Sequence, residues 1–217
     1  MTDPDIPRPA SGFAGSGLAC LRGERLVFSR LAFSLPAGGA LLLTGPNGSG
    51  KTSLLRVMAG LTPLAEGRLL WGGAEIGEDR AAHRARLHFI GHQDAVKPSL
   101  TAAETLAFWA GMRGGAARHV AAALEQFRLT RLAASPCRLL SAGQKRRVAL
   151  ARLVASPAPL WLLDEPLSGL DEEAVADLAA ALAAHRAQGG SVALSTHTPF
   201  ELSGAATLSL LDFQARA

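Results

Sequence analysis

A chain of 217 residues is long enough to bury a substantial core as one domain, or one domain with a subdomain, and is no small disulfide-stapled module. Its formal charge of +4 is spread along the sequence with sparse aromatic interleaving, so nucleic acid is not an expected partner. The longest apolar runs, such as Ala40 to Leu43 and Leu160 to Leu163, fall far short of the roughly 20 residues a membrane-spanning helix needs.

Residues 1–16 are rich in Pro, Gly and Ser and lack the basic start and apolar stretch of a secretory signal. They are expected to form a flexible tail ahead of a single domain over 17–217, in the cytoplasm. Cys20 and Cys137 match no zinc or redox spacing and read as small apolar residues. The stretch around Leu26 to Phe33 is expected to add antiparallel strands at one sheet edge. Ala40 to Thr44 (ALLLT), Leu160 to Asp164 (LWLLD) and Ser191 to Ser195 (SVALS) read as strands buried on both faces, because they are apolar without alternation. The class is α/β with a mainly parallel sheet.

Gly45 to Thr52, GPNGSGKT, matches G-x-x-x-x-G-K-[ST] between a buried strand and a helix, where that motif belongs. Gly45, Gly48 and Gly50, with Pro46, Asn47, Ser49 and Ser53 around them, form a loop whose N–H groups can wrap a polyphosphate at a helix N-terminus. Lys51 is expected to reach the β- and γ-phosphates and Thr52 to hold Mg²⁺, making Mg-ATP the expected ligand. The cluster Arg80, His83, Arg84 and Arg86 reads as a solvated face, with attraction to anionic lipid or to a partner as the alternative.

Strand signals vanish between Thr101 and Ser156, so an inserted helical subdomain over about 98–157 is expected. Thr101 and Glu104 have capping-box spacing, with Leu106 and Trp109 on one helical face behind them. Ser141 and Gln144 repeat that spacing ahead of a helix through Val148 and Leu153, leaving N–H groups that can cap a helix or bind an anion. Asp164 and Glu165 end a buried strand and emerge at the carboxyl edge of the sheet. There Asp164 can orient Mg²⁺ through its water shell and Glu165 can polarise the attacking water. His197, after SVALST, can contact a γ-phosphate, although a lone histidine is as readily a packing or surface residue. Glu173 to Gln188 reads as a helix closed by Gly189 and Gly190.

Together these elements resemble the nucleotide-binding domain of ABC transporters over nearly the whole stretch from Leu18 to Phe213, most specifically through LSAGQ at Leu140 to Gln144, whose usual family form is LSGGQ. The resemblance implies a P-loop fold with an antiparallel β edge and the inserted helical subdomain. Gln93 matches the family's Q-loop glutamine, implying a catalytic and metal-binding place for it. Ser168, Gly169, Leu170 and Asp171 match the D-loop, and His197 the switch histidine. The resemblance further implies that Ser141, Ala142, Gly143 and Gln144 act on ATP held by a second copy of the chain, in an ATP-sandwich dimer beneath a separate membrane permease. Ala142 departs from the usual glycine by one tolerable methyl. The family's adenine-stacking aromatic is missing from Cys20 to Arg25, where Arg22 or a neighbour is the expected substitute.

Within that group, Gly91 to Phe108 (GHQDAVKPSLTAAETLAF) and Leu140 to Leu153 (LSAGQKRRVALARL) are similar to the ATPase subunits of cytochrome c maturation systems, the haem exporters. That likeness implies a peripheral protein on the cytoplasmic face of a bacterial inner membrane; a motor for another small molecule or lipid is the alternative. His92 beside Gln93 is read as structural rather than as a haem ligand. Phe108, Trp109 and Met112 are the expected docking surface for a membrane-subunit helix, with core packing the alternative for Trp109.

Overall fold

The structure, a computed structural model, describes residues 12–114 and 117–214. Residues 12–16, expected in a tail, belong instead to the first strand, β1 (Gly12–Arg22), because Phe13 is fully buried against Phe33 and Trp71. Positions 1–11 of the expected tail lie outside the described residues. A two-residue hairpin turn at Gly23 and Glu24 returns the chain as β2 (Arg25–Pro36), antiparallel to β1. With β4 (Glu66–Trp71) and β5 (Ala74–Glu75) they form an antiparallel sheet in the order β2-β1-β4-β5.

The second sheet is wholly parallel. Its order is β6 (Leu87–Ile90), β7 (Leu160–Asp164), β8 (Ser191–Ser195), β3 (Ala40–Thr44), β9 (Ala206–Ser209). The boundaries of β3, β7 and β8 are those expected from their apolar runs. Alternate residues of these strands serve two different cores, which is why polar residues stand only at the strand ends. Leu160, Leu162, Ala193, Leu41 and Leu43 join the antiparallel sheet and α1 (Lys51–Met58). Trp161, Leu163, Val192 and Leu194 face α3 (Ala102–Gly111), α5 (Ala142–Ala155) and α6 (Glu172–Ala187).

Among the described residues between β6 and β7 the regular elements are helices, α3, α4 (Ala117–Gln126) and α5 with two 3-10 turns, besides one isolated bridge from Thr101 to Pro136. Both capping boxes form with reciprocal side-chain and backbone bonds, Thr101 with Glu104 on α3 and Ser141 with Gln144 on α5. Asp171 caps α6 by accepting from the Ala174 N–H at 2.9 Å, so that helix begins one residue before the expected Glu173. Cys20 and Cys137 are free and buried.

The basic cluster is not a uniformly solvated face. It forms α2 (Arg80–Ala85), an amphipathic turn whose inner residue, His83, is buried with Nε2 2.8 Å from the Met58 carbonyl. Arg86 stacks over Trp71. Among the described residues no helix is long and apolar enough to cross a membrane.

Candidate functional site

The carboxyl ends of β3, β7 and β8 bring three sequence-distant segments together, since parallel strands all deliver their C-termini to one edge. From β3 the chain enters the Gly45–Thr52 loop, where Gly45, Gly48 and Gly50 have φ of 133°, 79° and 109°. A side chain at Gly50 would be strained in that conformation, and its Cβ would come 2.8 Å from Val27 Cγ1 of β2. The loop then opens α1 with first-turn N–H groups that no helical carbonyl can satisfy. Lys51 is buried and its ammonium donates to the Gly45 and Pro46 carbonyls at 2.7 and 3.2 Å. These bonds fold the loop around the position an anion would take.

Thr52 Oγ1 donates to Asp164 Oδ1 at 3.1 Å, joining α1 to the end of β7. Gln93 lines a cavity of about 370 Å³ with Thr52, Asp164, Arg56, His92 and Arg152. These hydroxyl, carboxylate and amide oxygens suit a hard divalent cation that completes its shell with phosphate oxygens and water. Among the described residues no group of three or more His, Cys, Asp and Glu is placed to cage a metal.

Glu165 stands beyond Asp164 in a left-handed backbone conformation, φ 50°. Its Oε2 lies 2.8 Å from His197 Nδ1 and accepts from the His197 N–H at 3.2 Å, so the ends of β7 and β8 are tied together. The His197 ring is mostly exposed. A second cavity, about 410 Å³, is lined by Asn47, Gly48, Gly50, Lys51, Thr52, Ser53 and Glu165 together with Arg22, Arg25 and Val27. The residues lining it include no aromatic.

Ser141, Ala142, Gly143 and Gln144 line neither cavity. Ser141 and Ala142 are exposed, and Gly143 abuts the turn Ser168 to Leu170, where an added Cβ would come 3.1 Å from the Gly169 carbonyl. Arg147 pairs with Asp171 at 2.5 Å, linking the start of α5 to the start of α6. Asp171 is held below the usual carboxylate range by the Ala174 N–H and then by Arg147, with its exposure leaving the effect modest.

Three residues escaped the sequence reading. Ser195, at the end of β8, is fully buried; its hydroxyl donates to Asp164 Oδ1 at 2.7 Å and accepts from the Glu165 N–H at 3.1 Å. Arg146 is a buried arginine on α5. Arg152, six residues further along α5, lies 4.4 Å from the Trp109 ring centre, and burial brings its pKa down to about 10. A position two residues before His197 and arginines inside an apolar helix were the available signals.

Residues 28–168 match the family model for ABC transporters. The cytochrome c biogenesis ATP-binding export protein CcmA of Paramagnetospirillum magneticum is 56% identical, over 94% of this chain and 95% of its own length. That of Rhodospirillum rubrum is 53% identical, over 96% and 89%. A solved ATP-binding subunit of an ABC transporter superposes with a TM-score of 0.80 at 26% identity, over 86% of this chain and 80% of its own. A putative ABC transporter ATP-binding protein of Pyrococcus furiosus shares the fold, with a TM-score of 0.83 at 21% identity, over 94% and 100%. The chain therefore belongs to the ABC transporter family of ATP-binding subunits, in the branch of the cytochrome c biogenesis export proteins.

Proposed function

We propose that this chain is the ATP-hydrolysing subunit of a haem exporter serving c-type cytochrome biogenesis, docked as a pair beneath a separate permease on the cytoplasmic face of a bacterial inner membrane. The observation that carries the assignment is identity of 45–56% to relatives named as cytochrome c biogenesis ATP-binding export proteins, along nearly the full chain. The converging Gly45–Thr52, Asp164–Glu165, Gln93 and His197 segments supply an arrangement suited to hydrolysis.

In this reading Lys51 leaves the Gly45 and Pro46 carbonyls for the β- and γ-phosphates, a short exchange because its ammonium already lies inside the loop. The α1 N-terminus and the loop N–H groups neutralise the phosphate charge. Thr52, Asp164 and Gln93 would hold Mg²⁺, which when bound would neutralise charge developing on the phosphate oxygens. Glu165 polarises the attacking water, with His197 and the Q-loop glutamine beside it. Arg22 and Arg25 line the same cavity as Lys51, and a guanidinium there can stack on adenine.

Because Ser141–Gln144 stand outside both cavities, they are free to meet the γ-phosphate bound to a second copy, with Ser168–Asp171 beside them. ATP then acts as glue between two chains, and closure pulls on the permease in proportion to ATP's preference for the closed pair. The helical unit about 98–157 presents exposed Phe108 and Met112 for a permease helix, while Trp109 is half-buried beneath Arg152. The test is genetic and enzymatic together. Deleting the gene should abolish covalent c-type cytochromes while b-type cytochromes persist, and Glu165→Gln should fail to restore them while slowing ATP turnover at least about 100-fold. Normal c-type cytochromes in the deletion strain, with no duplicate copy, would move the cargo to another small molecule or lipid.

A further inference from the structure

Arg146 lies two residues beyond Gln144 on α5, and only 4% of it is exposed. Burying a guanidinium is costly unless its donors are satisfied, and here each of its five N–H groups has an acceptor. Nε donates to the Pro166 carbonyl at 3.3 Å. Nη1 donates to the Gly91 carbonyl and to Asp94 Oδ1, both at 3.0 Å. Nη2 donates to the Glu165 carbonyl at 2.8 Å and, more weakly, to the Asp164 carbonyl at 3.4 Å. Three of these acceptors are the consecutive carbonyls of 164–166, the turn by which the chain leaves β7. The planar five-donor fork of arginine suits such a fan of acceptors, and no other side chain offers it.

That turn stores strain. Glu165 at φ 50° occupies the left-handed region, which is unfavourable for a non-glycine residue. Such residues persist only where their surroundings over-determine them. On the N–H side Glu165 is fixed by the Ser195 carbonyl and hydroxyl, both at 3.1 Å. On the carbonyl side the bond comes from Arg146. The peptide that aims the Glu165 carboxylate at His197 is thus gripped from β8 on one side and from α5 on the other. α5 is also the helix that Ser141–Gln144 begin, and Asp94 directly follows Gln93.

We infer that Arg146 is a positioning residue for ATP hydrolysis: it holds the Glu165 backbone in its strained conformation, and its bond to Asp94 sets how firmly. The inference rests on the reading of Glu165 as the group that polarises water. It separates binding from turnover, because neither Arg146 nor Asp94 lines the cavity that holds Lys51 and the glycine loop.

The test compares Arg146→Lys, Asp94→Asn, the double variant and Glu165→Gln in the assembled transporter, measuring kcat, KM and the Kd for ATP, with thermal unfolding of each full-length chain. Lysine keeps the charge but cannot fan five bonds, so Arg146→Lys should lower kcat at least about 10-fold, the equivalent of one or two lost charge-assisted bonds. The Kd for ATP should stay within about 3-fold, since no nucleotide-facing group is changed. Asp94→Asn should lower kcat about 3-fold and add nothing in the Arg146→Lys background, the non-additivity expected of one network. Wild-type kcat in a folded Arg146→Lys chain, or parallel losses of kcat and ATP affinity, overturns the inference. Should Arg146→Lys fail to fold, Asp94→Asn decides: lower kcat at unchanged Kd supports it and wild-type kcat overturns it. Wild-type turnover in Glu165→Gln would instead remove the underlying reading of Glu165, whatever Arg146→Lys does.

Discussion

Replacing Ser195 with alanine removes one oxygen from a fully buried position and tests whether the two acidic residues at the end of β7 are held by the neighbouring strand. The main loss is the 2.7 Å donation to Asp164 Oδ1, a hydrogen bond to a carboxylate worth about 1.5–3 kcal/mol, and the 3.1 Å bond from the Glu165 N–H to the hydroxyl goes with it. Neither partner is left orphaned. Asp164 Oδ1 keeps the Thr52 hydroxyl at 3.1 Å, and the Glu165 N–H keeps the Ser195 carbonyl at 3.1 Å. The expected loss is therefore about 2 kcal/mol, the middle of that range, with no added penalty for an unsatisfied group. For a chain of this size that lowers Tm by about 4–8 °C. Thermal unfolding followed by circular dichroism measures the first effect. Turnover in the assembled transporter measures the second, which should fall about 10-fold as Asp164 and the Glu165 backbone loosen. A Tm within about 1 °C of wild type, or the full drop in Tm with unchanged kcat, would refute the claim that Ser195 orders the site.

Mixing Ser141→Arg and Lys51→Ala chains should give pairs with at most one complete composite site, and ATPase activity insensitive to Ser141→Arg in the full complex would rule out action across the pair. Phe108→Asp places a charge on an exposed apolar residue and should release the chain from membrane fractions while ATP binding persists; wild-type membrane retention would put docking elsewhere. His88, buried beside the Ser156 carbonyl, has its pKa lowered by burial to about 3. The unfolded chain therefore takes up the proton first, so the stability from neutral His88 is complete above about pH 6.5 and drains as pH falls toward 3, by up to about 1.4 kcal/mol per pH unit. His88→Gln should flatten that acid limb in chemical unfolding, and an unchanged slope would sink the argument. His83 and His185 are shifted the same way by burial and leave a residual slope.

What the sequence disclosed followed from how local each signal is. The strands β3, β7 and β8 were legible because a strand with a core on each face must be apolar throughout. The two capping boxes were legible because their geometry is complete within four residues. By contrast β4, with Glu66 and Arg68 exposed and only Leu69 buried, carries little periodic signal and is a strand because it pairs with β1. Residues 12–16 look like linker by composition and become strand through the burial of Phe13. Among site residues, the Gly45–Thr52 loop and the Asp164–Glu165 pair could be read from contiguous motifs. Ser195 and Arg146 could not, since their partners lie 31 residues and 18–55 residues away along the chain.

The strand order of the parallel sheet also governs when the nucleotide site can exist during synthesis. β3, which delivers the glycine loop, is among the first elements made, yet its two neighbours are β8 and β9, with Ala40 aligned on Val192 and Leu41 on Ala206. About 150 residues must therefore follow β3 from the ribosome before it gains a lateral partner. At about 5–20 residues per second that is a wait of roughly 8–30 s, during which a mostly apolar strand stays unpaired. Nascent chains stalled before β8 emerges should leave the Gly45–Thr52 loop open to protease, and chains stalled after β9 should protect it. Competence to bind nucleotide is thus acquired in the last stage of translation, and a half-made chain has no means of sequestering ATP.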